Sequence, residues 1–371
     1  MDFSLLKPLI KCSHHILISD DGDICIGEIP QKGCIIKSPE GWVLSLLPKL
    51  DGEHTIPRIV KELKSLGFNV DKECIIEFIN KLNQLGVIEI SDTYSDILSQ
   101  QEINLYDRQL LQFSLIDSQK VGGLKYQEKL KNSRVLILGM GGWGTWCAMQ
   151  LAMLDIGTLR LVDGDVVELS NLNRQVLYTF DDIGSAKVEA AEIGIKRHNR
   201  YTKVEKYNEF ATIDRDRLME VLDGVDVILI AWASLGYFRK NTVEGVIHDI
   251  AHEKEIPVIE LGGDPLDISV GPIYLNDGYN SGYHAVKNNI RNKFYSQNHE
   301  VEKFQLARMK HQFLNGKRKV NAWQSTPSLA VMSGLVTDQI VKLITGYDDV
   351  VLKNRKIFFS LRDFKMTEEL L

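Results

Sequence analysis

Proline is scarce in this chain, nine in 371 residues, and cysteine scarcer, with five scattered residues (Cys12, Cys25, Cys34, Cys74, Cys147) and no C-x-x-C pair. That spacing argues against a disulfide framework and against a tetrahedral zinc site, and leaves five packed or incidental thiols as the expectation. No run approaches the roughly 18 apolar residues that a membrane span needs. The opening Met1-Asp-Phe-Ser-Leu-Leu-Lys7 lacks the basic segment and long apolar core of a secretion signal. Repeats and low-complexity stretches are absent, and a net charge of −6 gives no basic excess of the kind nucleic acid demands. The remainder, 44% hydrophobic and 25% charged, is an ordinary globular composition long enough for two domains. A cytoplasmic protein that binds neither membrane nor nucleic acid is expected.

Two rhythms divide the chain. Residues 1–92 open with short β-like runs at His15–Ile18, Ile24–Gly27 and Cys34–Ile36, separated by turn-rich segments. Three helical patterns follow, from about Pro39 to Leu50, from the N-cap candidate Thr55 to Gly67, and from the N-cap candidate Asp71 to Gly86. Residues 93–122 are polar and then carry Tyr106-Asp-Arg108-Gln109, a linker that becomes an ordered arm. From 123 to 371 strand and helix alternate: strands at 134–138, 159–162, 203–207, 226–231 and 256–260, helices at 142–154, 185–198, 214–222 and 240–253. This alternation predicts an α/β fold, a doubly wound and mostly parallel sheet, behind a small α+β unit of winged-helix type.

The strand Val135–Leu138 is apolar at every position, the pattern of a strand buried on both faces. It runs into Gly139-Met-Gly141-Gly142-Trp-Gly144, whose G-x-G-x-x-G spacing lets the backbone turn tightly and approach a phosphate at a helix N-terminus. The next strand ends in Asp163, placed to hold a ribose hydroxyl. Such a pattern also marks nicotinamide-dependent reductases. Three further features favour ATP: Asn171-Leu-Asn-Arg174-Gln175, Lys187 at the start of the next helix, and Arg108 ahead of the fold. Two arginines and a lysine around a glycine loop suit a triphosphate whose charge must be neutralised as pyrophosphate leaves.

On these residues, with Asp163-x-Asp165 and the closing Thr326-Pro-Ser helix, the segment from about 105 to 277 resembles the ThiF, MoeB and HesA family of adenylating domains. The resemblance implies a homodimer in which ATP, with Mg2+, activates a carboxylate as an acyl-adenylate. Gly139, Gly141, Gly142, Gly144, Asp163, Asp165, Asn171, Arg174, Gln175 and Lys187 would then bind the nucleotide. Asp163 would hold the ribose, Asn171 and Arg174 the phosphates, Lys187 the α and β phosphates, and Arg108 would reach the partner subunit's site. Arg108, Arg174 and Lys187 are the expected catalytic set. Two departures stand out. Where the family ends the strand at 226–231 with an Asp, this chain has Ala233, or Ser234 if the register slips, leaving the metal to Asp165, Asp264 or Asp267. Where relatives often carry zinc cysteines it has Gly282-Tyr-His284-Ala, so no zinc is expected.

The order of residues 1–92 resembles the PqqD-like peptide-recognition domain, which binds leader peptides of ribosomally made precursors. The implied mode is addition of a leader strand to a sheet edge, with Ile24 and Ile26 of the strand and Phe78 and Leu82 of the third helix as walls. The alternative is that these residues are core, or that the unit only dimerises. The combined architecture resembles microcin C-type and pantocin A-type maturation enzymes. The expectation is therefore ATP-dependent activation of a precursor-peptide carboxylate, most simply a glutamate, followed by cyclisation or condensation in peptide antibiotic biosynthesis. Between 287 and 319 nine Lys/Arg stand against two Glu, with His299 and His311 interspersed, a segment suited to an acidic substrate or leaving pyrophosphate. The rival readings are a non-catalytic leader-binding scaffold and a nicotinamide-dependent reductase.

Overall fold

The structure, a computed structural model, describes residues 7–29, 31–89, 95–232, 242–263, 267–275, 282–297, 324–353 and 355–370, with the single residues 303, 307, 314 and 316. Two compact units make up the chain: residues 1–129 with 345–348, and residues 130–344 with 349–371.

In the first unit β1 (Leu9–Ile10) pairs antiparallel with β5 (Ile88–Glu89), and β2 (Ile16–Ile18), β3 (Ile24–Ile26) and β4 (Cys34–Ile36) form an antiparallel sheet in the order β2-β3-β4. Helices α1 (Gly41–Leu46), α2 (Ile56–Ser65) and α3 (Lys72–Gln84) close the core. On α2, Ile56, Ile59 and Leu63 are buried, and on α3 Ile75, Ile79 and Leu82, so each helix turns one apolar stripe inward. Each such side chain contributes roughly 1.5–3 kcal/mol through burial. Gly67 and Gly86 end the two helices at φ 91° and 76°, where a residue without Cβ is favoured. Thr55 and Asp71 occupy the N-cap positions but make no side-chain capping bond.

This arrangement corrects the expected peptide walls. Ile24 and Ile26 lie on the middle strand, hydrogen-bonded to β2 on one side and β4 on the other, and both are completely buried. A strand whose two edges are filled cannot accept a third. Leu82 is likewise core, while Phe78 is only partly buried, against the edge of Trp42 at 5.5 Å. The sheet's free edges are β2 and β4, where Ile16, Leu17, Ile18 and Ile35 are exposed.

Residues 95–129 are mostly helical: α4 (Gln100–Leu105), α5 (Asp107–Ile116) and α6 (Gly123–Lys131). Ser99 and Glu102 form a reciprocal capping box at the start of α4, satisfying two otherwise orphaned N–H groups. Glu89, buried on β5, accepts the Ser114 hydroxyl and the Gly123 N–H, both at 2.7 Å.

The second unit is built on an eight-stranded sheet in the order β13-β12-β11-β10-β9-β6-β7-β8. Five strands are parallel: β6 (Arg134–Leu138), β7 (Thr158–Val162), β8 (Lys203–Tyr207), β9 (Val227–Ile230) and β10 (Val258–Gly263). Between them run α7 (Gly142–Met153), α8 (Lys187–His198), α9 (Arg215–Val221) and α10 (Val243–Glu253), giving the doubly wound order. The sheet continues antiparallel through β11 (Asp267–Tyr274), β12 (Arg355–Ser360) and β13 (Met366–Leu370), an extension the alternation up to residue 260 did not foretell. Helices α11 (Tyr283–Gln297) and α12 (Thr326–Thr345) complete the described elements. By length and composition alone α12 could cross a membrane, yet Leu329, Met332, Val336, Ile340 and Val341 are all buried, as in a core helix. The outer strands differ in character: β8 carries Lys203, Glu205 and Lys206, and β13 carries Glu368 and Glu369 beside exposed Met366 and Leu370.

Candidate functional site

Strand β6 is buried from Val135 to Leu138, and its end delivers the glycine loop to the start of α7. Each glycine answers a different demand. Gly139 has φ +96°, and a Cβ there would lie 3.2 Å from the Ala231 carbonyl oxygen. At Gly144 a Cβ would fall 1.9 Å from the Gly139 carbonyl oxygen, so loop and helix close on each other only without it. Gly142 lies against Gln324 and Leu329, with 2.5 Å from a would-be Cβ to the Gln324 side-chain oxygen. Gly141 has an ordinary φ of −81° and nothing within 4 Å of its would-be Cβ. Here the backbone needs no glycine for its own packing; open space at the N-terminus of α7 is what a phosphate requires.

Strand β7 ends at Asp163, nearly buried, whose carboxylate accepts the Met140 N–H at 2.7 Å and the Asp165 N–H at 2.8 Å. Lys187, buried at the start of α8, lies 2.8 Å from Asp165 and 3.9 Å from Asp163. Its backbone N–H also donates to the Asp165 carbonyl. Asp163, Asp165 and Lys187 therefore converge on the glycine loop.

Arg174 sits in the turn after β7. Its Nε donates to Gln324 at 3.1 Å, and its Nη1 to the Ser170 carbonyl at 2.5 Å and the Asn173 side chain at 3.1 Å. Trp146 of α7 fixes the turn by donating its ring N–H to the Arg174 carbonyl. The Asn171 side-chain oxygen accepts the Glu168 N–H and so caps its own turn. Gln175 is buried, and its side-chain oxygen has no hydrogen-bond partner among the described residues.

Three residues of this site were not singled out in the sequence: Tyr178, Trp146 and Gln324. The Tyr178 hydroxyl donates to the Met140 carbonyl at 2.8 Å. Burial first, and then the carboxylates of Asp163, Asp182 and Asp165, push its ionisation far above the ordinary phenol range, so it remains a donor. Thr326 donates to the Asn173 carbonyl at 2.5 Å. Only a long-range contact identifies Gln324, 150 residues from the arginine it touches.

The arm residue Arg108 belongs to the first unit, its side chain 90% exposed and 3.5 Å from Asp107. Ala233, Ser234, Asp264, His299 and His311 lie outside the described residues, as does most of the basic segment. Within that segment Lys287 is buried with its ammonium over the Tyr283 ring.

The donor set fits a nucleotide triphosphate: open loop, helix N-terminus, and two cations. It does not by itself build a magnesium site. Among the described residues no group of three or more His, Cys, Asp or Glu side chains could hold a metal, and Asp165 is already paired with Lys187. A separate cavity of about 390 Å³ is lined by His248, His252, His284, Tyr274 and Tyr283 among others, and no phosphate-facing residue lines it. Within its lining His248 hydrogen-bonds with Glu260 and His284 with Asp249, and Arg215 pairs with Glu253.

Comparison with known proteins agrees with this geometry. Residues 13–72 match the PaaA-like N-terminal domain. The crystal structure of PaaA superposes with a TM-score of 0.78 at 48% identity, covering 96% of this chain and 98% of that one. That of Escherichia coli MccB with ATP gives 0.68 at 19% identity over 98% and 96%, a likeness of fold. Among curated proteins, the molybdopterin-synthase adenylyltransferase of Haemophilus influenzae is 38% identical over 132 residues, which are 36% of this chain and 51% of that protein. An adenylyltransferase and sulfurtransferase of Drosophila sechellia is 39% identical over 191 residues, 48% of this chain and 40% of that protein. The chain thus spans about half the length, or less, of these curated relatives. Residues 106–370 match the ThiF family, and with most of its length in that match the chain belongs to the ThiF family.

Proposed function

We propose that this chain uses ATP to activate a carboxylate of a ribosomally made precursor peptide as an acyl-adenylate. The observation that carries the reading is the convergence of an open, unobstructed Gly141 with Lys187 and Asp163 at the start of α7. A peptide carboxylate oxygen would attack the α-phosphorus, forming the C–O–P bond as the bond to pyrophosphate breaks. Charge builds on the phosphate oxygens in that step, so cations fixed beforehand stabilise the transition state more than the ground state. Lys187 would leave Asp165 for the phosphates, and the Nη2 of Arg174, without a partner among the described residues, would meet them. Asp163, already anchored to the loop backbone, would orient the ribose.

The N-terminal unit supports a peptide substrate. Its likeness to PaaA, and the fold shared with MccB, which has been crystallised with MccA, support a peptide strand adding to a free edge of the β2-β3-β4 sheet. Cyclisation or condensation at a glutamate, a cytoplasmic location and a homodimer receiving Arg108 from its partner complete the proposal. The scaffold reading is favoured by Ala233 in place of the family Asp.

Incubating the purified chain with ATP and the short peptide encoded beside its gene tests the proposal. Pyrophosphate release with a change in peptide mass is expected. ATP binding without turnover would establish the scaffold instead, and a bound nicotinamide dinucleotide would establish the reductase.

A further inference from the structure

Gln324 lies two residues ahead of α12 and far in sequence from the phosphate loops, yet touches both. Its side-chain oxygen accepts the Arg174 Nε–H at 3.1 Å. The same oxygen would be 2.5 Å from a Cβ at Gly142, so the carboxamide rests directly on the first residue of α7. Arginine can only donate, so the atom facing Arg174 must be the carboxamide oxygen. Thr326 ties the same segment to the turn a second time through the Asn173 carbonyl.

The guanidinium is thereby divided. Nε is committed to Gln324, Nη1 to Ser170 and Asn173, and Nη2 has no partner among the described residues. An arginine held at two of its three nitrogens has one direction left in which to donate. We propose that Gln324 is a positioning residue for nucleotide polyphosphate: it fixes the Arg174 fork against the glycine loop so that Nη2 meets the phosphates. This rests on the adenylation reading and extends it to a residue that contacts the arginine rather than the reacting atoms. Affinity then divides by chemistry. The phosphate part of ATP depends on Gln324, and the adenosine part does not.

The test is calorimetric titration of the full chain with ATP and, separately, adenosine, in wild type, Q324M, R174A and the double variant. Methionine keeps the volume and removes the acceptor. Losing a hydrogen bond to a charged group predicts about a tenfold or greater weakening of ATP binding in Q324M, with adenosine unchanged. In the R174A background Q324M should add less than about twofold, because the residue acts through the arginine. Q324L carries the test if Q324M does not fold: it too removes the acceptor, and ATP binding should weaken while adenosine is again spared. ATP binding unchanged in Q324M, equal losses for ATP and adenosine, or a full loss on top of R174A each overturns the inference while the adenylation reading stands. A wild-type chain that binds no ATP overturns both.

Discussion

Lys187 places its ammonium 2.8 Å from the Asp165 carboxylate, and both sit at the mouth of the glycine loop. The lysine's charge is neutralised by this side chain, which is itself half exposed. On the adenylation proposal, nucleotide binding would exchange this ion pair for another rather than bury a new charge.

That exchange makes Lys187→Ala informative. Asp163 keeps its two backbone donors from Met140 and Asp165, so the loop retains its anchor and the fold persists. The rate of ATP–pyrophosphate exchange should fall about a hundredfold, the usual cost of removing one group aimed at developing charge. Exchange within a few-fold of wild type would remove Lys187 from the phosphate site.

Gly141 and Gly144 should separate folding from binding. At Gly144 an alanine Cβ meets a backbone oxygen at 1.9 Å, so Gly144→Ala should melt well below the wild type. Gly141→Ala meets nothing and needs no unusual φ, so its unliganded melting should be unchanged. It should nonetheless lose ATP, since the methyl group fills the space a phosphate needs. Normal ATP affinity in Gly141→Ala would mean the loop does not cradle phosphate.

The two sheet edges give a paired experiment on the N-terminal unit. Leu17 on β2 and Ile35 on β4 are exposed and oppose Cys25 across the middle strand, so Leu17→Asp and Ile35→Asp leave the core intact. Fluorescence anisotropy with a labelled precursor peptide should show weaker binding for one of the two. If both variants bind as wild type does, strand addition to this sheet is wrong.

Cys147 on α7 is fully buried, and burial pushes its thiol up to about 12. The unfolded thiol ionises near 9.0, so the neutral folded form contributes stability that is complete below that pH and lost progressively towards 12. In titration with a thiol reagent at pH 8 the native chain should leave one of five cysteines unreacted until denaturant is added. A Cys147 adduct formed on the native protein would contradict this burial.

Much of the second unit was legible because the central strands at Val135–Leu138 and Val227–Ile230 are apolar throughout and its helices are separated from the strands by glycine and polar turns. The strands at 134–138, 159–162 and 203–207 are observed within one residue of expectation. The antiparallel β11–β13 carry no such alternation and emerged only with the tertiary structure. Helix α4 is announced by the capping signal Ser99-x-x-Glu102, set in a segment whose polar composition points to a linker. In the first unit, periodicity identified Ile24, Ile26 and Leu82 as apolar, but not whether they faced the interior or a ligand; strand order decides that, and β3 is the middle strand. The site itself was readable in its local motifs, whereas the contact between Arg174 and Gln324 spans 150 residues and leaves no periodic trace.

The two outer strands of the large sheet also bear on how this protein behaves in a concentrated stock. On β8, Lys203, Glu205 and Lys206 place three charges along the edge and make approach by another strand costly. Strand β13 relies on Glu368 and Glu369 alone, flanked by exposed Met366 and Leu370. The weaker guard lies on β13, which makes it the place to introduce a lysine when solubility fails.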